Sequence, residues 1–291
     1  MNRWIIMILL MRSFMLCALE DLPQEYAVGK NVRLSLQERK MHLLKQARMI
    51  DQEVSEQLKN VLKKAQSSKR VNQDLKSRDC NLDRISMSWD DLEKHLKKRG
   101  LKDVMLFGFG SLVNKHANYQ SDVNIPAVAF GIKRIYNMKH AHPEDSILGL
   151  PTCGYNHEQM RLNNKLTGKV DDMVNGILLK FTIGSEAYAD LKEREKTYRL
   201  MPIKVALYRA LLHNKIVLKD GYVLLSHQDK SSAHGDPHVV YNSLVLDGFK
   251  DIENHGLQGF VPLFLDTTYL SDEKTTIRDW IRKNSAQVVS D

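Results

Sequence analysis

"MLFGFGSLVN", residues 105 to 114, is an apolar run that halts at two glycines and then turns polar. The run reads as a buried strand, and Gly108 and Gly110 strip its exit turn of side chains. The backbone N–H groups of Gly110, Ser111 and Leu112 are then expected to point at an anion or a carbonyl oxygen, a cradle for a small ligand. The plainer alternative is a tight strand exit with glycines for packing. Three other glycine motifs are excluded. A dinucleotide fingerprint would need glycine where Val113 stands. A phosphate P-loop needs Gly-Lys-Ser/Thr, which is absent. A nucleophile elbow needs Gly-x-Ser-x-Gly, whereas Ser111 directly follows Gly110 and precedes Leu112 and Val113.

Outward from this stretch, the chain after Gly100 is a series of short runs rich in Val, Ile, Leu and Tyr: "VMLFGFG", "AVAFGIKRIYN", "MVNGILLKFTI", "IKVALYRALL" and "GYVLLS". These read as strands separated by turn residues. Between them lie "SEAYADLKEREKT", capped by Ser185, and "SDEKTTIRDWIRKN", capped by Ser271, both helical in pattern. Strands at irregular spacing with few helices lack the alternation of a doubly wound sheet. The expected class is α+β, with a mixed, mainly antiparallel sheet.

Before Gly100 the texture differs. Residues 1–100 hold 20 Lys+Arg against 13 Asp+Glu and the remainder 23 against 22, so +7 of the net charge of +8 belongs to the N-terminal third. Ser35 with Glu38 forms a capping box. Leu43, Ala47, Ile50, Val54, Leu58 and Val61 recur every three or four residues, predicting one long amphipathic helix suited to docking or to a helical pair. "SSKRVNQDLKSRDCNLDR" reads as a linker, and Ser88 caps a short helix that Gly100 ends. The basic excess is read as a solvated helix face, so no nucleic acid partner is expected; a protein partner or a second copy of the chain could use the helix.

The opening "MNRWIIMILLMRSFMLCALEDL" is a cationic start followed by an apolar stretch, the pattern of a signal peptide or membrane anchor over residues 1–20. Arg12 inside the stretch and Leu16 before a cut after Ala18 argue against it, and Met7, Met11 and Met15 offer later starts. A cytoplasmic location is favoured, with export or membrane contact following if residues 1–18 act as a signal. The organisation is thus a segment 1–20, a basic helical extension and linker over 21–100, and a domain over 101–291. Cys17, Cys80 and Cys153 are too few for a disulfide framework, although Cys80 and Cys153 could pair in an exported chain. The histidines of "HAH" (140–142) and "HGDPH" (234–238) complete no metal spacing, and Pro237 keeps His234 and His238 off one helical face, so no metal site is expected.

"LKEREKTYR", residues 191 to 199, ends an amphipathic helix with Glu193 and Glu195. With this element the sequence resembles the γ-glutamylcyclotransferase-like family, which joins a Tyr/Phe-Gly-Ser-Leu turn to a downstream Leu-Asp-x-x-Glu or Arg-Glu followed by Tyr. The turn here is "FGFGSL" at 107–112 and the carboxylate element is Leu191 through Glu195, with Tyr198 after it. "PAVAFGIKRIYN" (126–137) looks like the family's second strand, "VNGILLKF" (174–181) like the strand leading to the catalytic helix, and "VYNSLVLDGF…FVPLFLDTTY" like the C-terminal segment of a bacterial-type branch. The likeness covers 103 to about 270.

The resemblance implies a small β-barrel with flanking helices and an intramolecular reaction. The α-amine of a γ-glutamyl amide attacks its own γ-carbonyl, giving 5-oxoproline and releasing the amine. It implies Glu195 as general acid/base, the Phe109-Gly110-Ser111-Leu112 turn as substrate cradle, Tyr198 as pocket lining, and no metal or organic cofactor. The amine is mostly protonated near neutral pH, so an apolar pocket around the carboxylate is expected. Glu193, out of register, is read as a surface charge, and Arg134 and Asn137 as scaffold. Two departures stand out: Phe109 replaces the common Tyr, and Lys192 the Asp after the leucine. The rival reading is a binding or scaffold protein of the same fold that acts through the basic helix without turnover.

Overall fold

A computed structural model of the chain describes residues 36–77, 86–114, 121–139, 159–225 and 236–290. The run around Leu106 is β1 (Asp103–Gly108), and the strands that follow are β2 (Val123–Phe130), β3 (Ile132–Lys139), β4 (Gln159–Leu166), β5 (Met173–Thr182), β6 (Arg199–Leu207), β7 (Leu218–Leu225), β8 (Asp236–Pro237) and β9 (Thr268–Leu270). Five close into a barrel in the order β1-β5-β2-β6-β7. Every pairing around it is antiparallel except the closing seam, where Leu106 and Phe107 run parallel to Tyr222 and Val223. The other four form a second sheet, β8-β4-β3-β9. The α+β barrel is as expected; the second sheet is additional to it.

"PAVAFGIKRIYN" is two strands rather than one. Gly131 takes a φ of 76°, a left-handed turn that favours glycine, and its N–H donates to Asp172 O at 2.8 Å. The chain thereby leaves the barrel after Phe130 and enters the second sheet at Ile132. "IKVALYRALL" also changes state, because its second half is a short helix.

The helices are α1 (Leu36–Ala47), α2 (Glu56–Gln66), α3 (Lys69–Ser77), α4 (Trp89–Lys98), α5 (Glu186–Glu195), α6 (Tyr208–Leu212), α7 (Val239–Asn254), α8 (Phe260–Thr267) and α9 (Ile277–Ser290). The stripe expected to form one long helix is broken over 48–55. Arg278 donates to Ile50 O and, at 2.8 Å, to Gln52 O, holding the carbonyls of the break. Ser55 then caps α2 by accepting from Leu58 N. Leu43, Ile50, Val54, Leu58 and Val61 are nonetheless all buried, with α1 packed on α7 and α9. Part of the expected linker is α3, whose Val71 and Leu75 are buried; Ser35 and residues 78–85 lie outside the described residues. The last helix starts later than Ser271: Thr276 Oγ1 accepts from Asp279 N, and Asp272 instead holds the preceding turn through Lys274 N and Thr275 N.

One side chain fastens the second sheet to the barrel. Arg134 of β3 is fully buried. Its Nε donates to Thr268 Oγ1 (2.7 Å), one Nη to Phe109 O (3.0 Å) and Asn175 O (2.8 Å), and the other to Asn175 Oδ1 (2.9 Å). The guanidinium carbon lies 4.3 Å from the Phe264 ring centroid and 5.3 Å from that of Phe249. Among the described residues no carboxylate pairs with it. Burial lowers its pKa to about 9, with the negative ends of Tyr136 and Tyr241 opposing, so it is still charged at pH 7.

The initial segment, the three cysteines, His140, His142 and His234 lie outside the described residues. Among those described, no helix is long and apolar enough to cross a membrane.

Arg134→Met keeps much of the apolar volume but leaves buried acceptors on Phe109, Asn175 and Thr268 without donors. Unfolding in denaturant is expected to show a loss of about 2–4 kcal/mol. A neutral result would mean that these acceptors find other partners.

Candidate functional site

The turn after β1 winds into a single 3₁₀ turn, Ser111–Val113. Val113 N donates to Gly110 O (3.0 Å) and Asn114 N to Ser111 O (2.9 Å). The Phe109 carbonyl is held by Arg134. All three carbonyls of the turn are therefore occupied, while among the described residues nothing accepts from the N–H groups of Gly110, Ser111 and Leu112. Phe109 and Leu112 are buried.

Both glycines are dictated by space. A Cβ on Gly108 would stand 2.8 Å from Leu112 Cβ, so the turn can fold back on its strand only without one. At Gly110 a Cβ would stand 2.6 Å from Tyr241 Oη. Tyr241 is buried in the first turn of α7, whose N-cap is His238: its Nδ1 accepts from Tyr241 N. Further along α7, Gly248 lets the helix press on the backbone of Val113 and Asn114.

Glu195 arrives from the other side. Ser185 caps α5 by accepting from Tyr188 N, and the helix ends at Glu195, whose side chain is buried. Its carbonyl accepts from Trp89 Nε1 (3.0 Å) and from Tyr198 N (2.9 Å), which fixes where the helix stops. Lys192, at the position of the family's Asp, reaches α4, donating to Asp90 (2.9 Å) and Glu93 (2.8 Å). That departure is a strut between helices. Glu193 is exposed and pairs with Lys196.

Arg194 joins the two halves. One Nη donates to Ser111 Oγ at 2.8 Å, and its Nε lies 2.9 Å from Glu195 Oε1. Ser111 and Glu195, 84 positions apart in the numbering, thus share one guanidinium. The carboxylate is buried but has a cation against it, which differs from the apolar surroundings expected. Tyr198 is half-buried and tied to Glu195 through its backbone N–H.

Sequence reasoning assigned no role to Arg194, Tyr241 or Trp89. Arg194 was hidden in the charge run "EREK", where every second residue looks like a solvated helix face; its adjacency to Glu195 was the available signal. Arg134 is a scaffold residue, as expected, but one that sets the turn. Among the described residues no three His, Cys, Asp or Glu side chains gather as metal ligands do.

No protein-family model matches the chain, and no curated protein is similar to it. Among solved structures, it is similar to YkqA of Bacillus subtilis at 16% identity and a TM-score of 0.38, over 56% of this chain and 57% of that one, so it spans little more than half the length of YkqA. A γ-glutamyl cyclotransferase is similar at 14% identity and a TM-score of 0.40, over 64% of this chain and 99% of that one. A yeast γ-glutamyl cyclotransferase specific to glutathione is similar at 12% identity and a TM-score of 0.38, over 64% and 97%.

The tight fit between Gly110 and Tyr241 yields a double-mutant test. Gly110→Ala is expected to cost about 1–3 kcal/mol of stability by overpacking. In a Tyr241→Phe background, which removes the offending oxygen, the same change should cost less, with a coupling of about 1 kcal/mol in denaturant unfolding. Additive costs would mean that the two groups do not touch.

Proposed function

We propose that this protein cleaves a γ-glutamyl amide by cyclisation, releasing 5-oxoproline and an amine or peptide. The observation that carries the reading is the Ser111–Arg194–Glu195 connection, which sets a buried carboxylate beside a turn whose carbonyls are all engaged. The sequence resemblance supplies the reaction class.

In this scheme the Glu195 carboxylate takes a proton from the substrate's α-ammonium. The amine nitrogen then attacks the γ-carbonyl carbon, closing a five-membered ring. The carbonyl oxygen gains negative charge, and peptide N–H groups of the 110–112 turn stabilise it, or hold the substrate carboxylate. As the scissile C–N bond breaks, Glu195 returns its proton to the departing nitrogen, and the second proton of the ring nitrogen then passes through Glu195 to the released amine, leaving a neutral lactam. No water is consumed. Because attacker and target belong to one molecule, holding the substrate bent supplies much of the acceleration.

Arg194 is a positioning residue. Its planar fork spans a hydroxyl and a carboxylate at once, which fixes the Glu195 oxygens relative to the turn. In this scheme Tyr198, whose N–H donates to the Glu195 carbonyl, lines the substrate pocket, and Phe109 anchors the turn through its carbonyl to Arg134.

Purified protein incubated with γ-glutamyl peptides, glutathione included, is expected to release 5-oxoproline. Glu195→Gln should lower kcat by roughly 10²–10⁴-fold; activity that survives the change would refute the assigned base. Arg194→Lys keeps the charge but cannot bridge both partners, and kcat is expected to fall roughly tenfold to a hundredfold with the fold intact by circular dichroism. Unchanged kcat would remove Arg194 from the scheme.

A further inference from the structure

A cavity of about 780 Å³ lies where α6 and the C-terminal end of α7 meet β2, and neither Ser111, Arg194 nor Glu195 lines it. This volume suits a small organic ligand. Its walls are apolar: Ile125 and Pro126 of β2, Ile177 of β5, which faces Pro126 in the ladder, Leu207 at the end of β6, and Ile252 of α7. Its mouth is basic. Arg209, His213 and Lys215 come from α6 and the turn after it, and His255 follows α7. All four are exposed. Among the described residues the one acid in the lining is Asp251, whose backbone carbonyl accepts from His255 Nδ1 at 2.7 Å.

The two permanently charged side chains at its mouth, Arg209 and Lys215, have no counter-charge against them among the described residues: neither forms an ion pair. An apolar wall gains by burying hydrocarbon, and two unpaired cations at its rim gain by meeting an anion. One molecule satisfies both demands only if it is amphipathic and negatively charged at one end.

We propose that this cavity binds a single-chain alkyl carboxylate, its tail against Ile125, Ile177, Leu207 and Ile252 and its head at the Arg209 and Lys215 rim. The site is independent of the cyclisation reading.

Isothermal titration of the full chain with dodecanoate, below the concentration at which it aggregates, is expected to give saturable one-to-one binding. Arg209→Glu with Lys215→Glu changes exposed positions only, so the fold should persist by circular dichroism, while affinity should fall at least roughly tenfold. Ile252→Asn should weaken binding through the wall. Dodecanol and dodecyltrimethylammonium should bind much more weakly than dodecanoate. Equal binding of the cationic amphiphile, indifference to either variant, or association with phosphatidylglycerol vesicles in place of the dissolved carboxylate would overturn the proposal.

Discussion

A cation with no carboxylate against it among the described residues sits at the centre of this fold. Burying a guanidinium is costly unless its donors are occupied, and Arg134 meets that demand by drawing acceptors from β5, β9 and the turn after β1, with the rings of α7 and α8 over its carbon. The barrel, the second sheet and the turn therefore cannot move independently, since displacing any one strands a charge in the core. Asn175, which takes two of these bonds, also donates to Phe260 O at 2.7 Å and extends the clamp to α8.

The same face of β3 carries the polar chain outward. Tyr136, two residues beyond Arg134 and fully buried, donates to Asn242 Oδ1 of α7 at 2.5 Å. Burial raises its pKa well above the ordinary range, so it is a phenol and a donor at any physiological pH. Asn242 Nδ2 donates to Gln46 Oε1 at 3.0 Å, and Gln46 Nε2 to Ser243 Oγ and Val239 O, both at 2.8 Å. A glutamine of α1 thus completes the hydrogen bonding of a helix that also packs on the turn. Removing α1 would expose the apolar stripe and leave buried amides unsatisfied. Among the described basic residues of this region, Arg48, Lys63, Lys64, Lys69 and Arg70 are exposed to water.

What the sequence conveyed and what it withheld follow from range. Ser55, Ser88 and Ser185 cap helices through contacts three residues away, and the strand runs around Leu106, Ala127 and Leu178 announce themselves by composition, so the α+β class and the barrel strands were legible. Gln159–Leu166 was not, because its asparagines and lysine resemble a loop; it is a strand through its ladder with β3. The break after Ala47 was also hidden, since its stabiliser is Arg278, more than two hundred residues away. In the site, Glu195 and the Gly110–Leu112 turn were visible as motifs. Their link through Arg194 was not, because a guanidinium beside a carboxylate in a charge run looks the same whether it faces solvent or a serine.

The turn shows how carbonyl bonds can aim N–H groups. In a trans peptide the N–H points opposite to the C=O of the same unit, and no cis bond occurs among the described residues. Arg134 draws the Phe109 carbonyl toward the second sheet, so the Gly110 N–H is directed away from that sheet. The Gly110 and Ser111 carbonyls turn forward to Val113 N and Asn114 N, so the N–H groups of Ser111 and Leu112 point back toward the start of the turn. Three donors are oriented by three bonds made on their far sides, and none needs a ligand to hold it in place. Arg194 then sets the hydroxyl of the middle residue and, through its own Nε, the carboxylate of Glu195. One buried arginine thus governs the backbone of the cradle and a second its side chains. The glycines follow from this arrangement: with Leu112 folded onto Gly108 and Tyr241 against Gly110, no volume is left for a side chain at either position.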